Sequence, residues 1–164
     1  MKRLIVVGFV VAALLAKCQP SAGAGKITAD ILEFGAFELG PGKRGSREVR
    51  FTSHDRVIGP RLGSGFGFRF RLNNVPAVDS IELKTVVTHP PIRDRNGETR
   101  ASYALLTTIP VRNGSATSVT GYSFDRPEEM TPGEWVFEHS FRGKTLVKES
   151  FIVRASDLNA PPHT

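Results

Sequence analysis

The stretch FGFRFRL (residues 66–72) decides how the chain folds. Phe66, Phe68, Phe70 and Leu72 take alternate positions, and Gly67, Arg69 and Arg71 take the positions between them. A period of two is the signature of an extended strand with one buried and one wet face. Each phenylalanine removed from water contributes about 1.5–3 kcal/mol. The opposite arrangement would bury two unpaired guanidinium groups, which is costly.

The segments on either side repeat the theme. Glycine and proline punctuate the chain every ten residues or so, and the pieces between them alternate. That is the pattern of an all-β protein. It predicts strands over residues 27–39 (interrupted near Gly35), 48–58, 66–72, 81–89, 102–111 and 115–124, then a closing hairpin over 131–153. Asn96-Gly97, Asn113-Gly114 and Arg142-Gly143 mark turns; an Asn-Gly pair suits a two-residue hairpin because both residues tolerate positive φ. Pro90 and Pro91 lack amide hydrogens, so the strand before them is expected to stop there. In the hairpin TPGEWVFEHSFRGKTLVKESFIV, the residues Trp135, Phe137, His139 and Phe141 share a face. Leu146 and Phe151 have opposite parity on the second arm, which calls for a bulge or for two covered faces. About eight short strands with meander turns read as a two-sheet antiparallel, immunoglobulin-like β-sandwich, with a closed barrel as the alternative.

The first residues differ in kind. Lys2 and Arg3 precede an apolar run over residues 4–16, and Ala22-Gly23-Ala24 offers small side chains to a signal peptidase. Thirteen apolar residues fall short of the roughly 20 a spanning helix needs. They suit the core of a secretory signal. The expected division is a signal peptide over residues 1–24, one domain over 25–155 and a loose Pro-rich tail over 156–164. Leu15-Ala16-Lys17-Cys18 is a second exit, close to a lipoprotein cleavage site but with Lys17 where a small residue normally stands. A cut after Ala24 removes Cys18, the single cysteine, so the exported domain relies on its apolar core rather than on disulfides.

The leader also explains much of the charge. The chain carries 22 Lys+Arg and 16 Asp+Glu; without Lys2, Arg3 and Lys17 the basic count is 19 and the balance +3. That is ordinary solubility charge with both signs interspersed, and it gives no reason to expect nucleic acid as a partner. SGFGFRFR (residues 64–71) comes close to an RNA-binding strand motif. In that motif Phe66 and Phe68 would stack on bases while Arg69 and Arg71 turned inward, the reverse of the alternation above.

The chain assembles no chemistry in its sequence. GSGFG (residues 63–67) lacks the following helix that a dinucleotide loop needs. Gly63-Ser64-Gly65 lacks the spacing of a nucleophile elbow, and the glycines serve a turn and close sheet packing instead. His54, His89 and His139 are not spaced as metal ligands. Glu128 and Glu129, beside Pro127, read as a solvated turn rather than a glycosidase pair. Trp135 reads as a core anchor with its indole N–H bonded nearby, rather than as a sugar platform. No catalytic, cofactor-binding or metal-binding residue is therefore expected, no cofactor, and no enzymatic activity.

Four segments together are familiar. LEFGAFELG (residues 32–40), RLGSGFGFRFRL (61–72), VVTHPP (86–91) and PGEWVFEHSFRGKTLVKESFIV (132–153) occur in this order. They resemble the bacterial exported family called domain of unknown function 3859. The resemblance implies an immunoglobulin-like envelope domain and supplies no catalytic residues. The expectation is a periplasmic or secreted contact module. Its partner would be an envelope protein, met by the polar loops 40–47 and 90–100 or by an exposed strand edge. The alternative is a small-ligand or glycan binder with an aromatic surface.

Overall fold

The computed structural model describes residues 25–41, 47–93 and 96–155. The expected signal peptide with Cys18, most of the loop 40–47 and the tail 156–164 lie outside the described residues. The strands are β1 (Thr28–Pro41), β2 (Arg47–Phe51), β3 (Val57–Ile58), β4 (Gly65–Asn73), β5 (Ser80–Arg93), β6 (Thr99–Arg112), β7 (Ser115–Ser123), β8 (Gly133–Phe141) and β9 (Lys144–Val153). They form one sheet in the order β2-β1-β4-β7-β6-β5-β8-β9-β3.

The all-β class is as expected, but the expected pair of separate antiparallel sheets is a single curled and mixed sheet of nine strands. Two details cause the difference. The hairpin at Asn113-Gly114 keeps its last pairs, Val111 with Ala116 and Arg112 with Ser115, so β6 and β7 join what would have been two sheets. β3 runs parallel to β9. The stretch expected as one strand over 48–58 is split. After β2 the chain crosses to β9, where Arg56 meets Glu149 at 2.6 Å and Ile152 N donates to the Arg56 carbonyl.

The curl brings β4 to face β8 and β9. Phe66 lies 5.9 Å from Phe137 and 5.5 Å from Phe151, ring centre to ring centre, and Phe68 lies 6.4 Å from Phe151. Phe66, Phe68, Phe70, Leu72, Trp135, Phe137 and Phe151 are all fully buried, as the alternation requires. The parity conflict in the hairpin is resolved by a bulge: His139 pairs with Val147 and Ser140 with Thr145, leaving Leu146 as the extra residue.

β5 does not stop at its prolines. It continues to Arg93, because its pairing with β6 jumps from Thr88–Ser102 to Ile92–Arg100. Pro90 and Pro91 sit in the irregular stretch, where no ladder hydrogen is demanded of them. Much of the loop expected over 90–100 is consequently strand.

The glycines of β4 have a packing role. Gly67 stands opposite Gly35 on β1 and Gly121 on β7. A Cβ on Gly67 would come within 2.1 Å of the Thr120 carbonyl oxygen and 2.5 Å of Gly121 Cα. One on Gly65 would meet the buried Phe37 ring, which packs edge-on to Phe51 at 5.9 Å. Gly67→Ala forces backbone apart rather than rotating a side chain, so it lowers stability by about 1–3 kcal/mol, the range of overpacked interiors. Urea denaturation reads this directly; an unchanged midpoint would contradict the close approach of β4 and β7.

Candidate interaction edge

β6 is mostly exposed between Ala101 and Pro110. From Ala101 to Val111 it carries no charged side chain. On the side facing β7, its only pairs among the described residues are those of Val111 and Arg112 at the hairpin end. The hydrogen-bond phase follows from one contact. Val111 N donates to the Asp79 carbonyl at 2.9 Å, while Pro110 stands opposite Ser80. Antiparallel strands alternate, so the amides of Ile109, Thr107, Leu105 and Tyr103 point toward β5. Those of Thr108, Leu106, Ala104 and Ser102 point away from it, toward the open side. Pro110 falls in the outward set, where it breaks no internal ladder.

Side chains follow the same alternation. Ile109 and Val111 are buried on the inner face. Leu105 is on that face too, yet it is 44% exposed, because the sheet curls away before covering it. Leu106, on the outer face, is 64% exposed. The two ends of the sheet are built differently. β2 is five residues long and carries Arg47, Glu48 and Arg50; β3 is two residues long. Short strands and charges are the usual protection of a sheet edge against pairing, and the open side of β6 has neither.

Behind β6 the gap toward β7 is filled by rings. Tyr103 lies 5.9 Å from His89, His89 stacks on Trp135 at 4.9 Å, and Trp135 lies 4.5 Å from Tyr122. Burial raises the Tyr103 phenol above its ordinary pKa. Tyr122 is pushed up to about 12, first by burial and then by the nearby Glu129 carboxylate. Both phenols stay neutral, so this wall is packing rather than acid–base machinery.

Residues 32–153 match the family described as Domain of unknown function (DUF3859). The chain belongs to that family. The crystal structure of an immunoglobulin-like protein from Pseudomonas aeruginosa is similar to it, with TM-score 0.61 and 24% identity, covering 81% of this chain and 100% of that one. This likeness shows the immunoglobulin-like fold and nothing more. No curated protein matches.

In this DUF3859 member, the residues singled out in the sequence do not converge. His54 is exposed and meets Phe34 edge-on at 6.3 Å. His89 Nδ1 donates to the Pro90 carbonyl at 2.8 Å, which fixes its tautomer. His139, on β8, is buried against Phe68 and Phe70 of β4, with a 2.8 Å hydrogen bond joining its Nδ1 to Thr85 Oγ1 on β5, while its Nε2 finds no partner among the described residues. Ser64 Oγ donates to the Arg61 carbonyl, closing the turn before β4. Among the described residues no cluster of His, Cys, Asp or Glu is arranged to hold a metal ion. No helix there is long and apolar enough to cross a membrane.

Two expectations need correction. Glu128 is solvated, but Glu129 is buried. It accepts from Asp125 N at 2.8 Å, Arg126 N at 3.1 Å and Arg126 Nε at 2.8 Å, tying down the short 3₁₀ turn Pro127–Glu129. Trp135 is the expected core anchor, but its Nε1 finds no hydrogen-bond partner among the described residues, since rings surround it. The β6 edge was not singled out. Its one sequence signal was the adjacent pair Leu105-Leu106, which breaks the alternation and places a leucine on each face.

Proposed function

We propose that this chain is an exported, non-enzymatic immunoglobulin-like domain that works in the bacterial envelope by contact with another protein, through the open edge of β6. Export rests on the basic start, the apolar run 4–16 and the Ala22-Gly23-Ala24 site. The observation that carries the contact is the long, uncharged and unpaired side of β6, with outward amides at Ser102, Ala104, Leu106 and Thr108. An edge of this kind supplies main-chain hydrogen bonds to an added strand, and its flanking side chains supply selectivity.

The test is capture from envelope extract by the immobilised domain, compared with Ala104→Pro and Leu106→Lys variants. Proline removes an outward amide that makes no bond inside the chain, and lysine guards the edge with charge. Both variants are expected to keep the melting temperature and lose the captured partner, whether an unlike protein or another copy of the chain. Equal capture by the folded variants would remove β6 from the account.

A second reading, a glycan binder, rests on an outer-face groove of ≈ 520 Å³ lined by Lys84, Glu138, Phe141 and Arg142 among others. Its aromatic member is Phe141, with the Arg142 guanidinium 5.0 Å from the ring centre, and not the buried Trp135.

A further inference from the structure

We infer that the open sides of β6 and β7 form one slot, and that it takes an uncharged, extended segment of another protein, inserted between the two strands and antiparallel to β6. This rests on the contact role proposed for the β6 edge and names the kind of partner it takes.

The hairpin at Asn113-Gly114 builds the slot. Its arms pair at Arg112–Ser115 and Val111–Ala116; beyond that, β7 pairs with β4 alone among the described residues. Phe124 N donates to the Ser64 carbonyl at 2.9 Å, on the β4 side. By alternation, the amides and carbonyls of Val119 and Gly121 point the other way, toward β6. Continuing the register of the hairpin sets Thr108 across from Val119 and Leu106 across from Gly121, outward row against outward row. At the far end Tyr103 and Tyr122 are bridged by His89 and Trp135, in ring-to-ring steps of 5.9, 4.9 and 4.5 Å. Rings, rather than a hydrogen-bond ladder, hold the strands apart there and floor the slot. A segment inserted between them bonds on both sides, whereas one added to β6 alone leaves the β7 row unmade.

The walls define the occupant. Leu105 lies on the core side of β6 with Ile109 and Val111, yet it is 44% exposed. Ser118 and Thr120, on the core side of β7 opposite Phe70 and Phe68, are small and half-buried. Alternate aliphatic side chains of an inserted segment would complete the packing over these residues. No residue from Ala101 to Val111 or from Ser115 to Ser123 is charged, so a charge carried into the slot would be desolvated without a partner. Antiparallel pairing is the more stable per residue, and it falls to β6, which has the longer outward row.

This chain does not supply such a segment. A strand inserted in a slot needs both of its sides free, and the uncharged runs 101–111 and 115–123 of any copy already spend one side on β5 or β4. Residues 156–164 hold Asp157, Pro161 and Pro162, and on the proposed export the apolar run 4–16 leaves with the signal peptide.

The probe is a capped heptapeptide that alternates threonine and valine; its control has aspartate at the third and fourth residues, so that either face carries a charge. The first peptide is expected to shift the emission of Trp135, the single tryptophan, saturably. It is expected to protect Val119 and Gly121 from hydrogen exchange together with Ala104 and Leu106. The control is expected to bind about tenfold more weakly or worse. Val119→Pro removes a β7 amide that makes no bond to β4, and is expected to keep the melting temperature and weaken the first peptide to a similar degree.

Protection of the β6 row with Val119 and Gly121 still exchanging fast overturns the slot and leaves β6 as a simple edge. So does a failure of the peptide to bind while Ala104→Pro still loses capture from envelope extract. Equal binding of the aspartate peptide overturns the uncharged occupant. Protection of both rows on concentrating the protein alone makes the occupant a second copy and overturns the choice of partner. If neither the peptide nor capture depends on β6, the inference and the contact role fall together.

Discussion

Trp135→Ala lowers the stability of the domain by about 3–5 kcal/mol, the cost of a large-to-small change in a packed interior. The indole is fully buried at the start of β8 and opposite Phe151 on β9. Phe66, His89 and Tyr122 pack on it at 5.4, 4.9 and 4.5 Å, so it touches rings from β4, β5 and β7. No single neighbour can collapse into the space it leaves, because each is held by its own strand. For a domain of this size the loss corresponds to a melting temperature lower by roughly 10–20 °C. Trp135→Phe keeps most of the apolar contact and is expected to cost less than half as much. Calorimetry that found the alanine variant melting with the parent would place the indole outside the core.

Acidification from pH 6.5 to 4 removes roughly 3 kcal/mol of stability through His139 alone. Burial lowers its pKa from 6.5 to about 4. Its surroundings are Phe68 and Phe70 on β4, Thr85 on β5 and its cross-strand partner Val147, none of which carries charge. The sign follows from proton uptake. Above pH 6.5 the imidazole is neutral in both states and the stability is fully present. As pH falls below 6.5 the unfolded chain takes up a proton that the folded chain refuses until about pH 4, so unfolding is favoured progressively across that window. His139→Gln keeps a hydrogen-bonding group for Thr85 and cannot titrate. Measured by denaturant titration at several pH values, the stability difference between the two proteins is expected to be constant above pH 6.5 and to shift by roughly 3 kcal/mol against the parent between pH 6.5 and 4. Curves that stay parallel between pH 6.5 and 4 would show that His139 is not held neutral by burial.

What the sequence revealed and what it hid have a common cause. Alternation tells which side chains of a strand face inward, so Phe66, Phe68, Phe70 and Leu72 were legible, as was the Trp135 face of the hairpin. The family was legible too, from ordered segments spread along the chain. Alternation is silent on what lies beside a strand in the plane of the sheet, because backbone amides are the same at every residue. The Asn113-Gly114 hairpin was readable as a turn with a returning strand; that its arms stay paired only at Val111–Ala116 and Arg112–Ser115 before β7 turns to β4 was not. Nor was the open side of β6. The prolines misled for a related reason: they forbid a bonded position, not a strand, and β5 places them where its pairing is irregular. Glu129 was misread because its neighbours Glu128 and Pro127 suggested a wet turn. Its burial depends on backbone amides of Asp125 and Arg126 folding back to its carboxylate.

The interior that results is closed by rings, and the polar residues that invited chemical readings are spent on structure. Glu129 is buried and bonded, His139 is buried and bonded through Nδ1 alone, Ser64 closes a turn, and His89 is stacked on Trp135. Among the described residues, rows of unmade backbone hydrogen bonds remain along the outward side of β6 and along the side of β7 that faces it beyond Ala116.

Residue-resolved amide hydrogen exchange along β6 tests this most directly. In dilute solution Tyr103, Leu105, Thr107 and Ile109 are predicted to exchange slowly, and Ser102, Ala104, Leu106 and Thr108 fast. The second set is predicted to become protected when the protein is concentrated or an envelope partner is added. Equal protection of both sets in dilute solution, or fast exchange of the outward set under every condition, would contradict the account.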